Sequence, residues 1–427
     1  MQNIIAIIGL GYVGLPLAIE FAKKYKVLGY DIDKSRIKDL FKFNDKTTET
    51  NISDLKSLIK KEISDLNDHG LYLTSTLNEI AIANRYIITV PTPINKNLEP
   101  DLSYLISASK SISSILKKGD FVIYESTVFP GCTEEECVPI LESESGLKYN
   151  RDFFCGYSPE RVSPGVSSLK LTNIKKVTSG SNEDVAKEID FLYSSIIEAG
   201  THLAPSIKVA EASKSIENAQ RDLNISFVNE LALIFDKMGI DTQDVLEAAK
   251  TKWNFIPFSP GLVGGHCISV DPYYLVYKSK KLGYKPSVIL SGREVNNSMG
   301  VFIASKVCDL LLNKNIVISK SRVLILGVTF KENCPDIRNT QVIDIYNTLT
   351  QLALKVDVYD PVANKLEVKA KLNINLVENY NDKYTLIILA VSHKEFKLIN
   401  FKKLKKEGAI IYDVKSFIKK EYIDARL

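Results

Sequence analysis

The sequence predicts an α/β protein in which two doubly wound parallel sheets are joined by a long central helix. Three observations carry that expectation. Strand-like apolar runs alternate with amphipathic segments from residue 4 to about residue 200. Between Ser206 and Met238 there is neither proline nor glycine, and Ile216, Leu223, Phe227, Leu231 and Phe235 recur at helical spacing. A second strand–helix alternation then begins at Arg322. At 427 residues the chain exceeds one ordinary core, and the patterning divides it at 1–200, 201–305 and 306–427.

The first unit reads as strand 4–8, a glycine turn, helix 15–24 and strand 26–30, with further strands at 86–90, 121–125 and 176–179. The central stretch reads as one helix of about 50 Å at 1.5 Å per residue, long enough to bridge lobes or build a dimer interface. Two helices broken near Asp222 are the alternative. Strands at 322–327, 355–359, 385–391 and 409–413 give the second alternation.

Composition excludes several classes. Apolar residues make up 45% and charged residues 25%, with Lys+Arg 55 against Asp+Glu 51, so a nucleic-acid binder is not indicated. The apolar start at 4–10 lacks a basic flank and is interrupted by Gly9 and Gly11, which argues against a signal peptide or membrane span and for the cytoplasm. Six cysteines and four histidines show no paired ligand spacing, so neither a disulfide framework nor a metal site is expected.

GLGYVG at 9–14 has the G-x-G-x-x-G spacing between a strand and a helix. Gly9 serves a tight turn, Gly11 a close approach to pyrophosphate and Gly14 close helix packing, with Tyr12 and Val13 between them in a Rossmann-like cofactor turn. Asp31 stands at the end of the second strand, where it can accept from a ribose 2′-OH. That placement favours NAD over NADP, although Asp31 also fits a plain surface turn and Arg36 nearby can offset its charge. VPTP at 90–93 places Thr92 at the same end of the sheet.

GLVGGHCISVDPYYL at 261–275 is the most informative segment: glycines precede Cys267, and Asp271 follows four residues later. Lys214 and Asn218 are four apart on the long helix and share a face. A surface salt-bridge pattern with Glu211 and Glu217 competes with a functional reading of that pair. His266 beside Cys267 is better suited to packing or substrate contact than to activating the thiol, because neighbours in extended backbone point apart.

With these segments the chain resembles the UDP-glucose/GDP-mannose dehydrogenase family over essentially its whole length. The resemblance rests on the G-G-x-C-x-x-x-D cysteine signature, AEASKSIENAQRDLNISFVNEL at 210–231, STVFPGC at 126–132, YSPERVSPG at 157–165 and TFKENCPDIRNT at 329–340. It implies an NAD-binding domain, a central helical dimerisation domain carrying Lys214 and Cys267, and a UDP-sugar-binding domain whose LILG (324–327) lacks a full dinucleotide fingerprint. It further implies Cys267 as nucleophile, Lys214 and Asn218 as oxyanion stabilisers, Asp271 as a base, Glu160 in thioester hydrolysis and Thr127 in positioning water or its neighbours. Lys331 is placed at the substrate, and Arg338 near NAD. GGHC followed by VDPYYL, together with PER…PG and QRDLN, is similar to the branch acting on UDP-N-acetylhexosamines.

Arg161, Arg221, Phe258, Gly261, Gly264 and His266 are the accompanying candidates for substrate contact. The resemblance implies a homodimer supplying precursors for a surface polysaccharide, capsule or O-antigen, with NAD as cofactor and UDP-GlcNAc or UDP-GalNAc as substrate. UDP-glucose and UDP-ManNAc remain alternative substrates. A 3-hydroxyacid dehydrogenase would not require Cys267, and a catalytically silent sugar-nucleotide binder would require none of the reactive set.

Overall fold

The computed structural model describes residues 3–47, 50–162 and 170–427, so the last three residues of the 157–165 segment lie outside the described residues. Its contacts group the chain into two compact units, 1–217 with 273–284 and 218–272 with 285–427. The central segment 201–305 therefore contributes to both.

The first unit is built on a parallel sheet of β1 (Ile4–Ile8), β2 (Lys26–Tyr30), β3 (Ile59–Lys60), β4 (Gly70–Thr74), β5 (Arg85–Ile88), β6 (Phe121–Tyr124) and β7 (Phe154–Tyr157). Their order is β3-β4-β2-β1-β5-β6-β7. Chain order reverses between β1 and β5, and in such sheets the crevice for a ligand opens at the carboxyl ends of the strands flanking the reversal. The loops leaving those two strands are the glycine turn and VPTP. Ile5 and Ile7 of β1 and Val27 of β2 pack with Leu15, Ala18 and Phe21 of the Gly14–Ala22 helix in one buried core.

One strand expectation needs correction. β8 (Lys176–Thr178) does not extend the main sheet but pairs with β9 (Thr201–Leu203). The Glu183–Ser194 helix joins these two strands as a local crossover, and the 179–181 segment after β8 meets β7, antiparallel, through a Gly156–Gly180 bridge.

The second unit holds a parallel sheet of β10 (Arg322–Leu326), β11 (Lys355–Tyr359), β12 (Leu386–Leu389), β13 (Ile410–Asp413) and β14 (Ala425–Arg426), in the order β11-β10-β12-β13-β14. The Ser287–Asn313 helix contributes Met299, Ile303, Val307 and Leu311 to a core shared with Val323, Ile325 and Ile345. A Cβ on Gly300 would lie 2.7 Å from Cβ of Asp344, so glycine sets the approach of that helix to the Val342–Gln351 helix.

The long helix is Ile207–Met238, 32 residues and about 48 Å. It does not break at Asp222. That side chain is fully buried, with Oδ1 accepting from Arg293 Nη1 at 2.6 Å and from Asn296 Nδ2 at 2.7 Å. A charge that would have favoured an exposed break is neutralised inside the fold. No helix among the described residues is long and apolar enough to cross a membrane.

The two sheets repeat one device. Gly9 follows β1 with φ +94° and donates to the Tyr30 carbonyl; Gly327 follows β10 with φ +90° and donates to the Tyr359 carbonyl. The next amide in each case, Leu10 or Val328, donates to the aspartate ending the neighbouring strand, Asp31 (2.8 Å) or Asp360 (2.7 Å).

Candidate active site

In the first unit the glycine turn is shaped as a dinucleotide cradle. A Cβ on Gly14 would stand 1.9 Å from the Gly9 carbonyl oxygen, whereas one on Gly11 would meet nothing within 4 Å. Gly14 thus lets the helix close onto the strand, and Gly11 leaves an open approach. Val13 caps that helix without a side-chain hydrogen bond to its first N–H groups, which suits an anion. Tyr12 is partly exposed beside it. Arg36 is buried, its Nε on the Leu10 carbonyl at 2.9 Å and its Nη2 on Asp45 at 2.8 Å, so its guanidinium braces the turn. Thr92 Oγ1 donates to the Thr127 carbonyl at 2.6 Å, tying the loops after β5 and β6 together; Tyr274 OH also donates to the Thr92 carbonyl.

The second copy of the device has no such cradle. Thr329 and Glu332 stand where glycines 11 and 14 stand in the first, and no helix follows until Val342. Asp360 is buried, which raises its carboxyl, but hydrogen bonds from His393 and from the Val328 and Ala363 amides outweigh burial and hold it below the ordinary range. His393 Nδ1 accepts from the Asn333 amide, which places the ring proton on Nε2, 3.1 Å from Asp360.

The cysteine segment is fixed within the second unit. Gly261 exchanges both main-chain bonds with the buried Asn229 side chain, 2.8 Å to Oδ1 and 3.0 Å from Nδ2. Gly264 and Gly265 lie against the 329–341 loop: Cβ atoms there would meet the Asn339 carbonyl oxygen at 2.6 Å and the Phe330 ring at 2.9 Å. The Gly265 amide donates to the Arg338 carbonyl, and Asn339 Nδ2 donates to the Gly265 carbonyl at 2.9 Å.

Cys267 is half-buried, while the other five cysteines are buried. Its carbonyl accepts from the Asp271 amide at 2.8 Å, and Asp271 opens the Asp271–Lys281 helix with Oδ2 receiving the Asn218 side-chain amide. His266 and Cys267 lie in a turn and not in extended backbone, which corrects the premise used above for their side-chain directions. The reason is local: the glycine pair turns the chain directly into the helix start. His266 Nδ1 is 3.9 Å from Asp336, whose carboxyl is lowered mainly by Arg338 against the opposing effect of burial. Arg338 grips Asp336 through Nε at 2.9 and 3.0 Å. Phe258 is half-buried.

A cleft of about 300 Å³, its open mouth included, lies between this segment and the loop after β10, and is lined by Leu262, Gly264, Phe330, Lys331, Thr340 and Lys415 among others. Lys415, two residues past β13, was not singled out in the sequence. Its position beyond the carboxyl end of a parallel strand was the available signal.

In the first unit Lys214 is buried, and the carboxylates that might have paired with it on the surface are committed elsewhere. Glu211 accepts from the Gly131 and Thr133 amides, and Glu217 from Arg161 Nε at 2.9 Å. Arg161 also donates to the Lys175 carbonyl, whereas Arg221 is exposed. Glu160 is nearly buried, with Oε1 accepting from the Arg161 and Val162 amides. Thr127 is half-buried beyond β6.

Models of one family's domains match in succession: the UDP-glucose/GDP-mannose dehydrogenase NAD binding domain over 3–197, its central domain over 208–298 and its UDP binding domain over 324–420. The chain belongs to the UDP-glucose/GDP-mannose dehydrogenase family. It is an NAD-dependent enzyme; the cradle after β1 falls in the NAD binding domain of this family, and the cleft beside β10 is lined by the UDP binding domain together with Leu262 and Gly264 of the central domain. It is 51% identical over 427 residues to UDP-N-acetyl-D-glucosamine 6-dehydrogenase from Pseudomonas aeruginosa, covering 99% of each chain. It is likewise 51% identical to the Salmonella typhi protein of that name, covering 99% of this chain and 98% of the other. Among solved structures, UDP-D-ManNAc dehydrogenase from Pyrococcus horikoshii superposes with a TM-score of 0.86 at 30% identity, over 99% of this chain and 98% of that one.

Proposed function

We propose that this family member oxidises the C6 hydroxyl of UDP-N-acetylglucosamine, or of its C4 epimer UDP-N-acetylgalactosamine, to the carboxylate through a Cys267 thiohemiacetal and thioester. The observation that carries the reading is the cysteine segment: a half-buried thiol on a glycine-clamped turn, one helical turn before an aspartate hydrogen-bonded to Asn218. The two relatives at 51% identity, both named for UDP-N-acetyl-D-glucosamine, support the choice of sugar.

NAD, when bound, accepts a hydride in each of the two oxidations. The protein's part is as follows. Cys267 sulfur adds to the C6 aldehyde carbon, and the oxygen gains a proton. Lys214 and Asn218, on successive turns of the Ile207–Met238 helix, stabilise negative charge each time it develops on that oxygen. Asp271 orients the Asn218 amide and acts as base for the hydroxyl proton. Glu160 takes a proton from the water that adds to the thioester carbon; the C–S bond then breaks and the thiolate leaves. Thr127 helps to place that water. Asp31, Thr92, Arg338 and the glycine turn serve the cofactor, while Lys331, His266, Phe258 and the two arginines Arg161 and Arg221 serve the sugar nucleotide. The same reading makes the enzyme a cytoplasmic homodimer supplying a surface-polysaccharide precursor.

The test is stoichiometry. Wild type should form two NADH per sugar nucleotide with NAD⁺ and much less with NADP⁺, and Cys267→Ala should lose the second oxidation. One NADH per sugar, or turnover indifferent to Cys267→Ala, would overturn the covalent route.

A further inference from the structure

Behind Glu160 in the first unit lies a buried cluster that the reaction as written does not use. Lys176, the first residue of β8, is 2% exposed, and Glu125, just past β6, is fully buried. Lys176 Nζ is 2.7 Å from Glu125 Oε2 and 3.6 Å from Glu160 Oε2. Glu125 Oε1 accepts from Tyr193 OH, and the ammonium sits 5.5 Å from the centroid of the Tyr193 ring.

Burying an ammonium is costly unless it is paired, and the close contact with Glu125 already supplies that pairing for Lys176. Both Glu125 oxygens are engaged, one by Lys176 and one by Tyr193, so that pair needs no further carboxylate. Glu160 is nevertheless drawn against the same ammonium. Its Oε1 is fixed by two main-chain amides and its Oε2 faces Lys176, with 11% of the side chain left exposed. Burial alone would lower the lysine, but the Glu125 and Glu160 carboxylates outweigh it and raise it, so the group remains an ammonium at neutral pH.

We infer that Lys176 is the positioning residue for thioester hydrolysis: anchored by Glu125 and Tyr193, it holds the Glu160 carboxylate in the one orientation from which it takes a proton from the attacking water. The inference rests on the hydrolytic reading of Glu160. It concerns the second half of the reaction only, since neither hydride transfer nor addition of Cys267 involves Glu160.

The test uses the full-length enzyme with UDP-N-acetylglucosamine and NAD⁺. Glu125→Gln/Lys176→Met removes both members of the buried pair together, so neither is stranded, and leaves Glu160 held by the Arg161 and Val162 amides alone. Its NADH burst should persist while hydrolysis slows by roughly 10- to 100-fold, the scale expected when a reacting group is misplaced. Intact-protein mass spectrometry should then show the acyl adduct on Cys267 accumulating. Adduct per burst NADH is a ratio within the molecules that react, so a partly folded preparation leaves it unchanged. Lys176→Arg, which keeps the charge, should restore hydrolysis to within a few-fold. No adduct in the double variant, or an arginine variant as impaired as the double, would overturn the inference. Glu160→Gln run alongside separates the two ideas: adduct there but none in the double variant defeats the role of Lys176 alone, and none in either defeats the reading of Glu160 with it.

Discussion

Alanine at Gly264 should slow the enzyme without touching a reactive group. The added methyl would sit 2.6 Å from the Asn339 carbonyl oxygen, 3.1 Å from Phe330 Cβ and 3.3 Å from Thr340 Cα. An ordinary contact begins near 3.4 Å, so the cysteine segment or the 329–341 loop must yield by about 0.8 Å. Two of the obstructing atoms belong to main chain, which cannot swing aside as a flexible side chain would. Overpacking of this kind costs about 1–3 kcal/mol. The kinetic effect should be larger than the loss of stability. Cys267 lies three residues beyond the displaced position, and a misplacement near 1 Å at a reacting group costs on the order of 100-fold. The assay is kcat for NADH formation with UDP-N-acetylglucosamine, read beside the melting temperature and the KM for NAD⁺. We expect kcat to fall by roughly 100-fold; a rise in the KM for NAD⁺ beside it would show that the 329–341 loop, which carries Arg338, is the part that yields. A Gly264→Ala enzyme with wild-type kcat and melting temperature would refute the argument that the glycine pair fixes the nucleophile.

Two further outcomes concern stability. Arg293→Met strands the buried Asp222 carboxylate, whose pKa burial already pushes up against the pull of Arg293, and should cost about 3–5 kcal/mol in denaturant unfolding. Asp222→Asn/Arg293→Met should recover much of that loss because Asn296 keeps an acceptor; a double variant no more stable than the single would contradict this. Glu211 is raised to about 7, chiefly by burial and against the Thr133 and Gly131 amides, so its protonated form is the one the fold prefers. Its contribution, up to about 3 kcal/mol, is complete below the unfolded value near 4.5 and is lost as pH rises through about 7. Wild type should therefore lose melting temperature relative to Glu211→Gln between about pH 5 and about pH 8, and a constant offset between the two would rule this out.

The sequence was most readable where one residue type had one physical task. Gly9 and Gly14, required by a positive φ and by a 1.9 Å clearance, were legible, as was the 32-residue helix, whose apolar spacing and freedom from proline and glycine left little else to form. β3, β4 and β7 were not read individually: β3 and β7 are short, and β4, as long as β1, is placed by its pairing with β2 far earlier in the chain. Lys176 illustrates the harder limit. In KKVTS it is one lysine of two, and its burial depends on Glu125, 51 residues earlier, with which it shares no periodic signature. The backbone at His266 was misread as extended for a simpler reason: the glycine pair just before it turns the chain into the helix start, and strand-like alternation does not anticipate such a turn.

The paired aspartates that end β2 and β11 bear on attempts to redesign this enzyme. Restoring glycines after β10 would recreate the outline of a cofactor turn there, yet a ribose would still find its acceptor occupied, because the His393 imidazole fills the space beside Asp360 and packs edge-on against Phe396. Removing the imidazole would open that space but leave the Asn333 amide without its acceptor and the buried Asp360 carboxylate held by main-chain amides alone. A second dinucleotide socket is thus closed by an internal plug with structural duties of its own, so converting one sheet into the other would take coordinated changes at several positions on two loops, and single substitutions should reach an unstable protein before a bifunctional one.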